Sequence, residues 1–104
     1  DGKVAYVASQ SLGKKFAVVG KERGKIYDDV FATTITFSPN NKLVAYIARL
    51  FNTPRGERWF VVTGNKEHKQ YELVGKPTFL PGGKKVGYGV KIRNELWWIV
   101  ENLE

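Results

Sequence analysis

The sequence contains no cysteine, no methionine and only one histidine, His68. Without cysteine the chain cannot form a disulfide, a thiolate zinc site or an iron–sulfur cluster, and it has no thiol nucleophile. One histidine leaves a zinc site with too few ligands. No apolar run approaches the roughly 18 residues that a membrane-spanning helix requires. We therefore expect no metal, no cofactor and no membrane partner, whereas cysteine usage gives no indication of the cellular compartment.

The composition indicates one folded domain and not a disordered segment. Of the 104 residues, 42% are hydrophobic and 26% are charged, which is close to the average of globular proteins. Lysine and arginine number 17 against 10 aspartate and glutamate residues, so the net charge is +7, which admits acidic partners. The chain begins at Asp1 instead of methionine and has no secretory pattern, so we expect it to be processed or trimmed.

Four short blocks of strand-forming residues recur in the same order along the chain. The block Val4–Ala8 (VAYVA) returns as VAYIA at residues 44–48 and, more weakly, as VGYGV at residues 86–90. The other three are Phe16–Gly20, which returns at 60–64 and loosely at 98–102, Ile26–Val30, which returns at 70–74, and Thr36–Asn41, which returns at 78–83. A fixed period of this length is typical of repeat architectures.

Each block is predicted as a strand, because β-branched and aromatic residues dominate it and turn residues separate it from the next. Labelled a, b, c and d by their order in the repeat, the strands read b c d, a b c d, a b c, which makes ten. Strands b and c carry apolar residues on both faces, so neighbouring sheets must cover both of those faces. Strand d alternates, with Tyr27 and Asp29 opposite Asp28 and Val30, which predicts an outer strand with one wet face and charges that protect its edge.

These features predict an all-β fold of antiparallel four-stranded β-propeller blades, with about two and a half repeats in the chain. We expect a single domain, residues 1–104, with repeat 1 at residues 1–32, repeat 2 at 33–75 and a partial repeat 3 at 76–104. The repeated aromatic residues are expected in the core between blades. They are Tyr6, Tyr46 and Tyr88; Phe16, Phe60 and Trp98; Phe37 and Phe79; and Tyr27 and Tyr71.

Residues 37–46 (FSPNNKLVAY), residues 57–62 (ERWFVV) and Glu95–Trp98 (ELWW) resemble the WD40-like, TolB-type β-propeller repeat family. That family carries an FSPDGK turn, a VAY strand and an ELWVV-like strand, and Asn40–Asn41 stands here where Asp-Gly is usual. The resemblance extends over nearly the whole chain. It implies a propeller fold and a role as a protein-binding platform or as the non-catalytic propeller of a peptidase, and it names no ligand.

The number of repeats conflicts with a closed propeller, which has about four to eight blades. A lone stack would expose two flanking sheets rich in valine, phenylalanine and tryptophan, and repeat units are unstable without neighbours. Two explanations stay open. The chain is a homo-oligomer, favoured as a homodimer joined through its terminal blades, or it is a fragment of a larger propeller protein or enzyme.

Catalytic constellations are scarce in the sequence. His68 lies in a turn that leads into an outer strand, and it is predicted to be solvated. A serine–histidine–aspartate arrangement can be assembled on paper, but no nucleophile motif supports it. We therefore assign no catalytic residue, and the sequence leans against an enzyme without deciding the question.

The antiparallel order places the b–c connections at one end of the predicted sheets, and arginine is concentrated there. Arginine on variable loops offers planar, bidentate contacts to carboxylates or phosphates. The predicted binding residues are Arg49, Phe51, Arg55, Arg58, Lys91 and Arg93. The function expected from this face is binding of a protein, peptide or other ligand. The alternative is a basic module that binds nucleic acid or another polyanion.

Overall fold

The computed structural model describes residues 4–103, so residues 1–3 and 104, at the ends of the predicted first and third repeats, lie outside the described part. The strands are β1 (Ala5–Ser9), β2 (Lys15–Val19), β3 (Glu22–Arg23), β4 (Asp29–Phe37), β5 (Val44–Thr53), β6 (Gly56–Thr63), β7 (Lys66–Glu67), β8 (Leu73–Val74), β9 (Thr78–Phe79), β10 (Lys85–Ile92) and β11 (Glu95–Asn102). A 3₁₀ turn, Ser11–Gly13, connects β1 to β2. Residues 4–103 contain no α-helix, so the described chain is all-β.

The strands form three open antiparallel sheets. Sheet 1 has the order β1–β2–β3, and sheet 2 has the order β4–β5–β6–β7. In sheet 3, β10 pairs with β11 on one side and with the short strands β8 and β9 on the other. Each sheet therefore contains one b–c hairpin, β1–β2, β5–β6 or β10–β11, and all pairings are antiparallel, as predicted from the repeat.

Turns of equal length precede β5 of sheet 2 and β10 of sheet 3. The turns at residues 38–43 and 80–85 each close with a hydrogen bond of 2.9 Å from the first amide to the last carbonyl. Asn41 (58°) and Gly83 (72°) have positive φ at matching positions, and Gly82 (91°) has it as well, unlike Asn40. Asparagine tolerates this left-handed conformation better than most residues with a side chain, so both sequences can close the loop.

The predicted outer strand d is interrupted. Tyr27 exchanges two backbone hydrogen bonds with Lys15 of β2, and Tyr71 does the same with Trp59 of β6. Each tyrosine therefore still belongs to the sheet of its own repeat. The chain then crosses to the next sheet at residues 28 and 72, ahead of the predicted repeat boundaries after residues 32 and 75.

This crossing overturns the predicted alternation of strand d. Asp29 and Val30 begin β4 and pair with β5 of sheet 2, and β8 pairs likewise with β10 of sheet 3. Tyr27 and Val30 are both buried in the same core, because both face the junction of sheets 1 and 2. The prediction of an edge strand with one wet face was wrong, since the segment joins two sheets. Residues 4–103 form eleven strands, whereas ten were predicted for the chain.

Two apolar cores hold the sheets together. We call the face of each sheet that carries Tyr6, Tyr46 or Tyr88 its front face, and the opposite face its back face. The front of sheet 2 packs on the back of sheet 1, and the front of sheet 3 packs on the back of sheet 2. The first core contains Ala17, Tyr27, Val30, Val44, Tyr46, Ala48, Phe60 and Val62. The second contains Ala45, Ile47, Val61, Tyr71, Val74, Val86, Tyr88 and Val90.

The register of β11 corrects one predicted equivalence. Phe60 pairs with Ala48 in sheet 2, whereas Val90, which matches Ala48, pairs with Trp97 in sheet 3. Trp97, and not Trp98, is therefore the counterpart of Phe60. A shift of one residue moves a strand side chain to the opposite face. Trp98 accordingly lies on the back of sheet 3, outside the core that was predicted for it.

Phe60 provides a test of the first core. It is fully buried, and its ring lies edge-on to that of Tyr27 with 5.3 Å between centroids. We expect Phe60→Ala to lower the free energy of unfolding by about 3–5 kcal/mol, because apolar contacts are lost and a cavity remains. The control is Phe51→Ala, at an exposed ring, which should cost less than about 1 kcal/mol. Urea denaturation measures both, and equal losses would contradict this packing.

Candidate functional site

Arg49 of β5, a predicted binding residue, is enclosed by its neighbours. Its guanidinium lies 2.9 Å from a carboxylate oxygen of Asp29 and 3.1 Å from one of Glu57. Three ring centroids lie 4.9 to 5.5 Å from it, those of Phe31, Phe51 and Trp59. The two carboxylates neutralise the charge of Arg49 and the rings cover its faces. Arg49 therefore joins the strands at this end of sheet 2, and little of it is free for a ligand.

Asp28 ties sheets 1 and 2 together beside Arg49. Its carboxylate accepts hydrogen bonds from the Lys14 ammonium and, at 2.7 Å, from the backbone amide of Phe51. These bonds, that from Lys14 foremost, hold the pKa of the Asp28 carboxyl below its usual range. Asp29 accepts from Lys15 at 3.2 Å as well as from Arg49. These carboxylates were predicted to protect a sheet edge, and instead they bind cations across a junction.

Three predicted binding residues, Arg55, Arg58 and Lys91, line one cleft of about 110 Å³ at the same end of the molecule, between sheets 2 and 3. We call it the basic cleft, and its other lining residues are Lys69, Gln70, Tyr71, Glu72 and Ile92. Arg55 lies in the β5–β6 turn, Arg58 on β6 and Lys91 on β10. The Nε atom of Arg58, like that of Arg49, is buried without a hydrogen-bond partner. Cations from two sheets therefore converge on one small recess.

Arg93, another predicted residue, adjoins the basic cleft but lies outside its lining. Arg93 is at the tip of the β10–β11 hairpin, where it and Asn94 have φ values of 51° and 69°. The Arg93 amide donates to the Glu72 carboxylate at 3.3 Å, as the Phe51 amide does to Asp28. Sequence reasoning missed Lys69, because it assigned the segment before Tyr71 to an outer edge. The match of Lys69 to Lys25 in the first repeat was the available signal.

On the front face of sheet 1 two side chains at the β1 edge are exposed, although Phe16 and Val18 of β2 are buried. Val4 is 60% exposed and Tyr6 is 51% exposed. Their counterparts in sheets 2 and 3 are at most 4% exposed: Val44, Tyr46, Val86 and Tyr88. Tyr6 was predicted in a core, and it lies on this uncovered face instead.

The back face of sheet 3 is a second apolar surface. Trp98 is 62% exposed, whereas its counterpart on sheet 2, Val61, is fully buried. Trp98 lies over Gly87, since a Cβ atom on that glycine would be 2.5 Å from the indole ring. An apolar recess of about 320 Å³ beside it is lined by Leu73 and Leu96 among others. Both outer faces of the stack thus carry large apolar side chains.

His68 is buried, so its prediction as a solvated residue was wrong. Its amide donates to the carbonyl of Val61 at 2.9 Å, and its Nε2 lies 2.7 Å from the hydroxyl of Thr63. Its Nδ1 is 4.0 Å from a carboxylate oxygen of Glu101, which accepts a hydrogen bond from the hydroxyl of Tyr88. Burial is the main cause that lowers the pKa of His68 and raises the pKa of Tyr88.

This histidine turns inward because the short strand β7 brings its segment back along β6. The order Thr63, His68, Glu101 is that of a nucleophile, a base and an acid. Thr63 and His68 are both buried, however, so a substrate cannot reach the hydroxyl. We therefore assign the group to the packing of sheets 2 and 3.

Comparisons with known families, with curated proteins and with solved structures found no match. Within residues 4–103, no helix has the length and apolar character needed to cross a bilayer. The basic cleft and the two outer faces are therefore interpreted from their own geometry.

Arg49 and Arg55 should differ in their effect on stability. We expect Arg49→Ala to lower the free energy of unfolding by about 1–3 kcal/mol, since two charge-assisted hydrogen bonds and the contacts with three rings are lost. Arg55→Ala is the control, because this exposed side chain has no carboxylate partner and should change stability by less than about 0.5 kcal/mol. Urea denaturation of both variants measures the difference, and a neutral Arg49→Ala would contradict the structural role.

His68 should make stability depend on pH. Its pKa is about 6.5 in the unfolded chain and lower in the folded chain. The free energy of unfolding should thus be unaffected by His68 above about pH 6.5, should fall as the pH drops from there to the folded pKa, and should level off below it, because the unfolded state binds the proton more readily. His68→Gln should remove this loss between about pH 7 and 5. A wild-type protein that gains stability over that range would contradict a buried neutral histidine.

Proposed function

We propose that this chain is a non-catalytic binding module of the WD40-like propeller type, and that a second copy covers its terminal sheets. The carrying observation is the difference in exposure between equivalent positions. Val4 and Tyr6 repeat residues that are buried in sheets 2 and 3, yet they face solvent. A surface that matches two buried interfaces and lacks its cover is suited to receive another sheet.

The two sheet-to-sheet contacts inside the chain indicate which partner can cover the outer faces. In both cores a front face packs on a back face, never front on front or back on back. The chain leaves one face of each kind uncovered, with Tyr6 on one and Trp98 on the other. A second copy supplies both matching faces, so front-to-back docking continues the internal arrangement with surfaces of the same chemistry.

Two copies docked in this way would bring six sheets together, which lies within the range of about four to eight blades found in closed propellers. The contact is heterologous, and it gives a closed ring only if the rotation between copies allows it. Coverage by further repeats of a longer polypeptide is the other explanation, and it would leave this chain monomeric in solution.

The ligand of the assembled module is proposed to be a protein or peptide that binds at the b–c end, where the basic cleft lies. The net charge of +7 supports binding of nucleic acid or another polyanion as the alternative. The affinity of a polyanion falls steeply with salt, with a slope set by the number of phosphates contacted. Binding that is nearly independent of salt would therefore remove this alternative.

Mixing two interface variants tests the docking. Tyr6→Glu places a charge on the front of sheet 1, and Trp98→Glu places one on the back of sheet 3, so each variant alone should be monomeric. A mixture should form a dimer of twice the 11.8-kDa chain mass, because the intact back face of one variant meets the intact front face of the other. Light scattering measures the masses.

Leu12→Glu is the control, because Leu12 is exposed in the β1–β2 connection, away from both faces. This variant should assemble as the wild-type protein does. Circular dichroism verifies that all variants keep their sheets. A Trp98→Glu variant that still dimerised alone would show front-to-front contact and contradict the proposed geometry.

A further inference from the structure

We propose that the basic cleft binds one phosphate monoester group. The cleft lies within a single chain, between sheets 2 and 3, so this inference does not depend on docking between copies. It is carried by a comparison of the two sheet junctions and by the charge and size of the cleft.

Three cations beside the junction of sheets 1 and 2 are neutralised. Lys14 binds Asp28, and the Lys25 ammonium lies 3.3 Å from the carboxylate of Glu67. Arg49, on the back of sheet 2, is paired with two carboxylates, as described above. Each of these three cations therefore has a partner inside the protein.

The basic cleft has cations at the same repeat positions without such partners. By register, Arg58, Lys69 and Lys91 match Lys14, Lys25 and Arg49. Within the described residues, none of these three cations, nor Arg55, has a carboxylate oxygen within 4.0 Å. One reason lies in the sequence: Leu73 pairs with Lys91 at the position where Asp29 pairs with Arg49.

The charge of the cleft favours a dianion. Arg55, Arg58, Lys69 and Lys91 face a single carboxylate, Glu72, which is engaged by the backbone amide of Arg93. A phosphate monoester carries a charge of about −1.5 to −2 near pH 7 and three strong acceptor oxygens. It therefore neutralises more of this excess than one carboxylate can.

The size of the cleft suits one such group, since its volume is about 110 Å³. This space accommodates a phosphoryl group, whereas a run of nucleotides needs an extended groove. The planar guanidinium groups of Arg55 and Arg58 suit phosphate oxygens. Tyr71 and Ile92 provide apolar contacts for the carbon that bears the phosphate.

Calorimetric titration with small probes tests the proposal. O-phosphoserine should bind saturably with one molecule per chain, and serine should not bind. A peptide that contains one phosphoserine identifies the source of the group. Tighter binding of the peptide than of free O-phosphoserine indicates a modified protein partner, and equal binding indicates a small phosphate ester. Absence of saturable binding of either phosphate probe would overturn the proposal.

Charge-matched variants locate the binding. Arg55→Gln combined with Lys69→Gln alters two exposed side chains and should weaken O-phosphoserine binding at least about tenfold. The control, Lys21→Gln with Lys42→Gln, removes the same charge at the opposite end and should change affinity less than about twofold. Equal losses in the two double variants would overturn the site, because they would indicate a diffuse effect of net charge.

Two further measurements distinguish a site for a single phosphate group from a simple charge effect and from a polyanion surface. Arg58→Lys keeps the charge but removes the planar fork, and it should weaken binding severalfold while circular dichroism shows an unchanged fold. Single-stranded oligothymidylate serves as the polyanion probe. If it bound more tightly than O-phosphoserine, with a salt slope of several phosphates, a polyanion surface would replace the single-group site.

Discussion

The burial of sheet 2 between two other sheets is the constraint on which the rest of the structure depends. Strands β5 and β6 carry apolar side chains on both faces, so neither face tolerates water. Sheets 1 and 3 supply the two covers. Covering a sheet in this way gives each flanking sheet an inner apolar face, and the repeated sequence gives it an outer apolar face as well. Sheet 2 is therefore covered on both faces, whereas the outer faces of sheets 1 and 3 carry apolar side chains that the chain itself does not cover.

The crossings at residues 28 and 72 link this packing to the electrostatics of one end of the molecule. Each crossing places an acidic residue against the backbone of the next sheet, Asp28 at Phe51 and Glu72 at Arg93. Carboxylates beside the first junction pair with Lys14, Lys25 and Arg49. At the second junction Leu73 stands where Asp29 pairs with Arg49, which leaves Lys91 without that partner. Differences in acidic residues between matched positions thus separate a structural junction from a candidate binding cleft.

Much of this arrangement could be predicted from the sequence, because local patterns determine it. The recurring blocks predicted the central hairpins, and the turn at Asn41 followed from residue preferences. Long-range pairing was not accessible. Trp97 and Trp98 are both large and apolar, so their pattern does not indicate which lies on the front face of sheet 3, and only pairing with Val90 decides it. His68 was misassigned because its burial depends on β7 folding back along β6. Likewise, the pairing that distinguishes Arg49 from Lys91 depends on crossings that no local pattern reveals.

The central claim is that the two outer faces of the stack are interfaces that another copy covers. The mass of the unmodified chain in solution, measured by sedimentation over a range of concentrations, tests it most directly. We expect a species of twice the 11.8-kDa chain mass that dissociates on dilution. A single species of 11.8 kDa at every concentration would contradict docking between copies.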